Sequence, residues 1–357
     1  MQGFNFLNDF PGQGSAIIGL LDAFYGEKGY ITPKETRRFC GPTVPLARIP
    51  KFTYKNDEIF HATIEVSHFG NAALDSTKTT YTIRDEYGKI YYKEISNNRT
   101  IPVGNCIQLG EVNYPLASIT SPAKLNLEVC IEGTHFANDW DFWVYPAVVE
   151  TNQGNVYITD TFNEKALETL ASGGNVLITA ARKITYGQGI VQQFTPVFWN
   201  TSWFKMRPPH TTGIWVNNNH PLFKNFPTEY HSNLQWWELL NNAQVMLFSD
   251  FAYEFEPLVQ SIDTWFLSRK IGTLFEAHVL NGKLMMTSMD ITTDLDNRIV
   301  ARQMRKAILD YMNSPHFRPV SHVKVQQIED LFRKPTPVIN MHTKQSPEEL
   351  KPSYNVK

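Results

Sequence analysis

The sequence predicts a mixed, multidomain chain in which an antiparallel β-sandwich precedes an open α/β domain. Two observations carry this. Between about Phe52 and Pro146, stretches such as IFHATIEVSHFG and TTYTIRDEYGKIYYKEI alternate apolar and polar residues, with turn signals such as EYGK between them. From Asn155 onward, the apolar run NVYITD is followed by amphipathic FNEKALETLASGG and a second apolar run, NVLITAA. That is the strand–helix–strand pattern of a parallel sheet covered by helices. At 357 residues the chain also exceeds one ordinary core.

Taken in order, FNFLNDFPGQG (residues 4–14) reads as a buried strand that delivers Asn8 and Asp9 to its tip, before a Pro-Gly turn. Ser15–Tyr25 is apolar and helix-compatible, with Gly19 working against regularity. TPKETRRFC reads as a helix start, with Thr32 as N-cap, Pro33 first and Glu35 third. GPTVPLARIPK is a Pro-rich connector. One strand with one or two helices cannot enclose a core, so residues 1–50 are incomplete as a domain.

Residues 51–148 then give the strand count and spacing of an immunoglobulin-like sandwich, through the two stretches above, IQLGEVNY, KLNLEVCIEG and a closing NDWDFWVYP. Alternation in that last strand sends Trp140 and Phe142 to one face and Asp139, Asp141 and Trp143 to the other. The Asp pair reads as a strand end, since nothing supplies the remaining oxygens of a calcium site.

Residues 149–314 form the α/β domain, completed by QVMLFSDF, GTLFEAHVLNGKLMMTSMDI and the helix RIVARQMRKAILDYMNS. Ile299, Met304, Ile308 and Met312 give that helix a buried stripe. Arg298, Arg302, Arg305 and Lys306 give it a solvated face. Residues 315–357 are polar and Pro-containing and read as an extended tail.

Composition narrows the partners. Lys+Arg number 33 against 35 Asp+Glu, a net charge of −2, which leaves no basic excess to hold a phosphate backbone. At 42% hydrophobic and 19% charged residues, the chain is globular rather than disordered. No stretch reaches the length of a membrane helix, and no secretory signal pattern opens the chain. Cys40, Cys106 and Cys130 are too scattered for a zinc ribbon. Cys106 and Cys130 either pair across the sandwich or stay as two buried free thiols.

LNDFPGQGSAIIGLLDAFYGEKGYITPKETRRFCGPTVPLAR resembles the close of the catalytic (β/α)8 barrel in family 2 glycoside hydrolases, the β-galactosidase group. The likeness is to the large multidomain members of gut Bacteroidetes, where an Ig-like domain follows the last barrel strand. FTPVFWNTSWFKMRPPHTTGIWVNNNHPLFKNFPTEYHSNLQWWELL is similar to the class I glutamine-amidotransferase-like domain appended to some of them. The resemblance implies a retaining β-glycosidase with two catalytic glutamates, both on barrel strands before the last. It therefore implies a C-terminal accessory region that carries no catalytic residue and is inert by itself. Its partners would be the remainder of the parent polypeptide and, through the complete enzyme, carbohydrate. The parent would be periplasmic or extracellular. Asn8 and Asp9 would bind substrate hydroxyls in the complete enzyme, at the carboxyl end of the last strand.

An active amidotransferase needs a thiolate on a strand-to-helix elbow, yet all three cysteines precede residue 150, and no G-x-S-x-G replaces them. GQG at 187–189 lacks the full dinucleotide fingerprint, so no cofactor is expected. His210, His220 and His231 lie about ten residues apart, a spacing of isolated structural histidines rather than a metal site. Trp199, Trp203, Trp215, Trp236 and Trp237 fall close together among Asn217, Asn218, Asn219, Glu229 and His231. Indole faces suit sugar C–H groups, and amides and carboxylates suit hydroxyls. Trp199, Trp203, Trp236 and Trp237 are thus candidate carbohydrate contacts, with an aromatic core between domains as the competing use. A non-catalytic carbohydrate-binding or scaffold module is the second functional reading.

Overall fold

The capping box read from TPKETRRFC is formed. In a computed structural model, which describes residues 19–22, 24–192, 194, 211, 213–263 and 267–337, Pro33–Phe39 is a helix, α1. Thr32 Oγ1 accepts from the Glu35 amide at 3.2 Å, and Glu35 Oε2 accepts from the Thr32 amide at 2.7 Å. The expected opening strand lies outside the described residues. The described part of Ser15–Tyr25 is not helical, against expectation. Asp22 Oδ1 accepts from the amides of Phe24 (2.8 Å) and Gly26 (2.7 Å), and Leu21 bridges to Glu27, so the chain turns back. A short carboxylate that captures nearby amides favours a turn over a helix.

The chain is mostly β-sheet with few helices and divides into two units. The first holds the described residues up to Ser118 together with Lys124–Trp143. Its strands are β1 (Thr43–Arg48), β2 (Thr53–Lys55), β3 (Ile59–His68), β4 (Leu74–Thr77), β5 (Thr79–Asp85), β6 (Ile90–Ile95), β7 (Arg99–Ile101), β8 (Gly104–Pro115), β9 (Ala123–Ile131) and β10 (Ala137–Tyr145). They form sheets ordered β1-β3-β8 and β2-β10-β9-β5-β6, with β4 and β7 paired separately. Along β3 the predicted alternation buries Phe60, Ala62, Ile64 and Val66. Phe60 stacks on Phe142 of the other sheet at 4.2 Å between ring centroids, so the two inner faces share one core. This is compatible with an Ig-like sandwich.

GPTVPLARIPK is not a connector. It contains β1, paired antiparallel to β3 with Pro45 opposite Val66. β1 is an edge strand, where a residue without an N–H costs little. On β10 the predicted alternation puts Asp139 and Asp141 on one face, where both accept from Asn126 Nδ2 at 2.9 and 2.8 Å. Arg38 pairs with Asp139 and Lys124 with Asp141, so the pair is neutralised by cations of the protein itself. All three cysteines are free. Cys40 and Cys106 are exposed, contrary to a buried or bridged pair, and Cys130 is half-buried with its thiol pushed up by burial.

The second unit holds Ile119–Ala123 and the residues from Val144 onward. Its elements are β11 (Val156–Thr159), α2 (Glu164–Ala171), β12 (Asn175–Thr179), β13 (Ile214–Val216), a 3-10 turn (Pro221–Asn225), α3 (Trp236–Asn241), β14 (Met246–Leu247), β15 (Val259–Ser261), β16 (Ile271–Val279), β17 (Gly282–Thr287), α4 (Ile299–Met312) and α5 (Val325–Arg333). The βαβ unit is present. Asn163 caps α2 through the Ala166 amide at 2.9 Å, and β11 runs parallel to β12 with Val156 opposite Asn175. The sheet order is β11-β12-β17-β16-β15-β13, parallel over the first three strands and antiparallel beyond.

GQG owes its first glycine to packing and its second to backbone conformation, since Gly189 has φ 85° with nothing within 4 Å of where a Cβ would stand. Gly187 has φ 130°, and a Cβ there would lie 2.0 Å from the Val245 carbonyl oxygen. Two further expectations are corrected. The tail from residue 315 contains α5, whose Ile328 and Leu331 are buried in the core of this unit. The basic face of α4 is not freely solvated: Arg302 Nη2 donates to the Pro146 carbonyl at 3.1 Å and Arg305 Nη1 to that of Ile291 at 3.4 Å. Burial lowers the pKa of Arg305.

Candidate functional site

Three parallel strands, β11, β12 and β17, leave the sheet at one edge, and their carboxyl ends are where open α/β sheets place ligands. The segment after β17 carries the most elaborate polar cluster there. Asp290, with its side chain 3% exposed, accepts at Oδ1 from the amides of Thr292 and Thr293, both at 3.1 Å, and at Oδ2 from Thr293 Oγ1 at 2.6 Å. Arg298, just before α4, reaches back over this loop. Its Nε donates to Glu238 Oε1 at 2.7 Å, its Nη2 to the Asp290 carbonyl at 2.8 Å and its Nη1 to the Thr293 carbonyl at 3.0 Å. Nη1 also lies 3.3 Å from Asp290 Oδ1.

The two carboxylates are driven apart in acidity. Burial pushes Asp290 up, but Thr293, the two amides and Arg298 outweigh it and hold the carboxyl at about 2. Glu238, on α3, is pushed above the usual carboxylate range by burial, with the charges of Asp290 and Asp294 adding to it against Arg298. Arg182 follows β12 with φ 62°, and its Nη2 stands 3.9 Å from Asp290 Oδ2. Chemically this is a guanidinium clamp. Arg298 spends Nε, Nη1 and Nη2 on protein acceptors, and Asp290 is filled by protein donors.

A second cluster joins residues far apart in sequence. His220, read as an isolated histidine, lies with Nε2 3.5 Å from Glu276 Oε1 on β16. Tyr311 Oη of α4 donates to Glu276 Oε2 at 2.8 Å, and its ring meets that of His220 edge-on at 4.9 Å. The Leu222 amide points at His220 Nδ1 (3.4 Å), which assigns the proton of a neutral ring to Nε2, facing Glu276. Burial and the Glu276 charge push the Tyr311 hydroxyl well above its ordinary pKa.

Of the residues singled out from sequence, Asn8, Asp9, Trp199, Trp203 and His210 lie outside the described residues. Trp236 is 0% exposed; its Nε1 donates to Thr228 Oγ1 at 2.8 Å and its ring meets Phe226 edge-on at 5.4 Å. It is a core residue with no face left for a sugar. Trp237, its neighbour, is 59% exposed. His231 pairs with Trp215 in an isolated bridge. Sequence reading missed Glu238, Asp290 and Arg298 as a set; the one local signal was the DITT run, whose hydroxyls and amides close on the Asp. Among the described residues, no group of three or more His, Cys, Asp or Glu is placed to hold a metal ion, and no helix is long and apolar enough to cross a membrane.

Comparison with known proteins gives limited likeness. No curated protein matches the chain. The CARDB domain of the PF1109 protein from Pyrococcus furiosus, solved in complex with di-metal ions, is 12% identical with a TM-score of 0.23, over 29% of this chain and 93% of that one. The β-glucuronidase of Parabacteroides merdae is 10% identical with a TM-score of 0.23, over 39% of this chain and 21% of its own. Another β-glucuronidase, from glycoside hydrolase family 2, is 10% identical with a TM-score of 0.21, over 38% and 17%. The chain thus spans about a fifth of the length of these β-glucuronidases, and likeness at this level carries no argument about activity. Residues 58–146 match the family described as Domain of unknown function (DUF8488), and residues 157–333 match Domain of unknown function (DUF8487).

Proposed function

We propose that this chain is a non-catalytic accessory region of a β-galactosidase-like glycoside hydrolase that acts on β-linked glycans. The observation that carries the reading is the guanidinium clamp. At the strand ends where an α/β domain would do chemistry, Arg298 holds Glu238 and Asp290, and Asp290 is filled by donors from its own loop. A carboxylate in that state is a structural anchor and a poor base or nucleophile. The resemblance of the Leu7–Arg48 stretch to the close of a family 2 barrel supplies the kind of enzyme served. The class I amidotransferase-like reading of the second unit fits the same picture, because a domain without cysteine has lost that chemistry and keeps only its surface.

The test is hydrolysis of p-nitrophenyl β-galactoside and β-glucuronide by the purified chain. No turnover above blank is expected. Turnover by chain purified free of host glycosidases would overturn the reading, and its loss in Glu238→Gln would place the chemistry at this cluster. The alternative of a carbohydrate-binding module draws on the outer aromatics Trp215, Tyr230 and Trp237, all at least partly exposed.

A further inference from the structure

On the second unit, β13 is flanked by β15 on one side and by the residue His231 on the other, and their outward positions form a row. Ile214 and Val216 are buried, as are Val259 and Ser261, so the two-residue period sends Trp215 and Gln260 outward. Trp215 stands opposite Gln260 in the antiparallel register and opposite His231 in the bridge. Residues so paired share a face with Cβ atoms about 5 Å apart. The next place in the row is Gly272 of β16, opposite Gln260. Pro257 fills the space above that glycine, with two ring carbons 3.1 Å from where a Cβ would stand, and Pro257 and Gln260 line a cavity of about 510 Å³ together with Tyr253, Glu254, Glu256 and Lys270 among others. Beneath the row, Ser261 Oγ donates to Gln192 Oε1 at 2.5 Å and Gln192 Nε2 to Thr211 Oγ1 at 3.1 Å, so buried polar bonds fix β15 from below.

We propose that this face is a binding subsite for a neutral oligosaccharide, with Trp215 as the stacking platform and Gln260, His231 and the cavity carboxylates as hydroxyl partners. The proposal rests on the accessory-region reading above and names where sugar meets the surface. The indole is 38% exposed and lies between an amide and an imidazole, so a pyranose ring on its face has donors and acceptors at both edges. Tyr230, with its ring 4.9 Å from that of His231, extends the platform. Three strand places span about 10 Å, the length of a disaccharide, and a further residue reaches the cavity.

Charge sets the class. Arg269 is already forked on Asp263 at 2.8 and 2.9 Å, and Lys270 Nζ is turned onto the carbonyls of Ala252 (3.1 Å) and Tyr253 (2.5 Å). Glu254 and Glu256 remain exposed as acceptors, so the cavity takes hydroxyls and repels uronates.

Tryptophan fluorescence and calorimetric titration of the full chain test this, with galactotetraose, cellotetraose and xylotetraose as neutral probes and a hyaluronan tetrasaccharide as the acidic one. At least one neutral probe binds saturably, and the acidic one binds about tenfold more weakly or not at all. Trp215→Ala weakens neutral binding about tenfold or more, Gln260→Ala about threefold, and Tyr87→Ala, at an exposed aromatic of the first unit, leaves it unchanged. Should Trp215→Ala fail to fold by its urea midpoint, Gln260→Ala and Trp215→Phe carry the comparison. The site is overturned by absence of saturable neutral binding, by equal affinity for hyaluronan, or by unchanged affinity in the Trp215 and Gln260 variants. Turnover of p-nitrophenyl β-galactoside defeats the accessory reading and leaves this site standing, so the two failures are distinct.

Discussion

Replacing Asp290 with Asn tests whether the strand-end cluster is an anchor. The substitution keeps the shape but removes the charge and puts an amide where Oδ2 accepts from Thr293 Oγ1 at 2.6 Å. The folded carboxyl sits at about 2 against an ordinary 3.8. By linkage that gap is worth about 2.4 kcal/mol at neutral pH, and screening at the loop surface brings it to roughly 1.5–2 kcal/mol. The sign follows from a depressed folded value. The contribution is fully present above the unfolded value, from about pH 5 upward, and is lost as pH falls through about pH 2. The variant is therefore less stable than the wild type by roughly 1.5–2 kcal/mol at about pH 7, or about 3–8 °C in midpoint for a domain of this size. The gap narrows between about pH 4 and about pH 2. Urea titrations read by far-UV circular dichroism and tryptophan fluorescence measure it. A variant within about 0.5 kcal/mol of wild type at neutral pH, the range of an ordinary surface substitution, would refute the reasoning. So would a gap that stays constant down to about pH 2.

Three further outcomes are expected. Gly187→Ala, which places a Cβ 2.0 Å from the Val245 carbonyl in a left-handed backbone, costs about 3 kcal/mol or more and yields little soluble protein; normal yield and midpoint would contradict the packing argument. Tyr311→Phe removes the hydroxyl donor to Glu276 and costs about 1–2 kcal/mol, and proton NMR of the His220 ring shifts with it; an unmoved His220 signal would show that the three side chains are not coupled. With Ellman's reagent under native conditions, Cys40 and Cys106 react promptly while Cys130 lags, because it is half-buried and its thiol is harder to ionise. Equal rates for single-cysteine variants would count against that placement.

What the sequence made legible was local. Period-two alternation located β3 and β5, since burial of Phe60, Ile64, Tyr81 and Ile83 is written into every second residue. The βαβ unit and the Thr32 capping box are likewise contained in short windows. Misreadings arose where a distant partner decided the outcome. β1 looked like a connector because Pro45 within it, and Pro42 and Pro50 on either side, mask a strand that exists only by pairing with β3. The basic side of α4 looked solvated because the carbonyls that take up Arg302 and Arg305 belong to residues 146 and 291. The two polar clusters were illegible for the same reason. Glu238 and Arg298 are 60 positions apart, and His220 and Tyr311 are 91 apart, so no window contains either set. Trp236 and Trp237 show the limit of composition: of two adjacent, identical residues on one short helix, the first is buried and the second is 59% exposed.

The C-terminal helix α5 changes what counts as the smallest piece of this chain able to fold. The Leu331 carbonyl accepts from the amides of Thr185 and Tyr186 at 2.9 and 3.0 Å, while the Val323 amide donates to the His278 carbonyl at 2.9 Å and Ser321 accepts from the His278 amide at 2.7 Å. A polypeptide stopped at Ser314, where composition turns polar, would leave those backbone groups and the apolar bed of Val323, Ile328 and Leu331 open to water. Excising the second unit for separate study therefore means cutting no earlier than Thr336, whose Oγ1 accepts from the Gly187 amide at 2.7 Å. A shorter piece is expected to aggregate, and its failure would say nothing about whether the unit is autonomous.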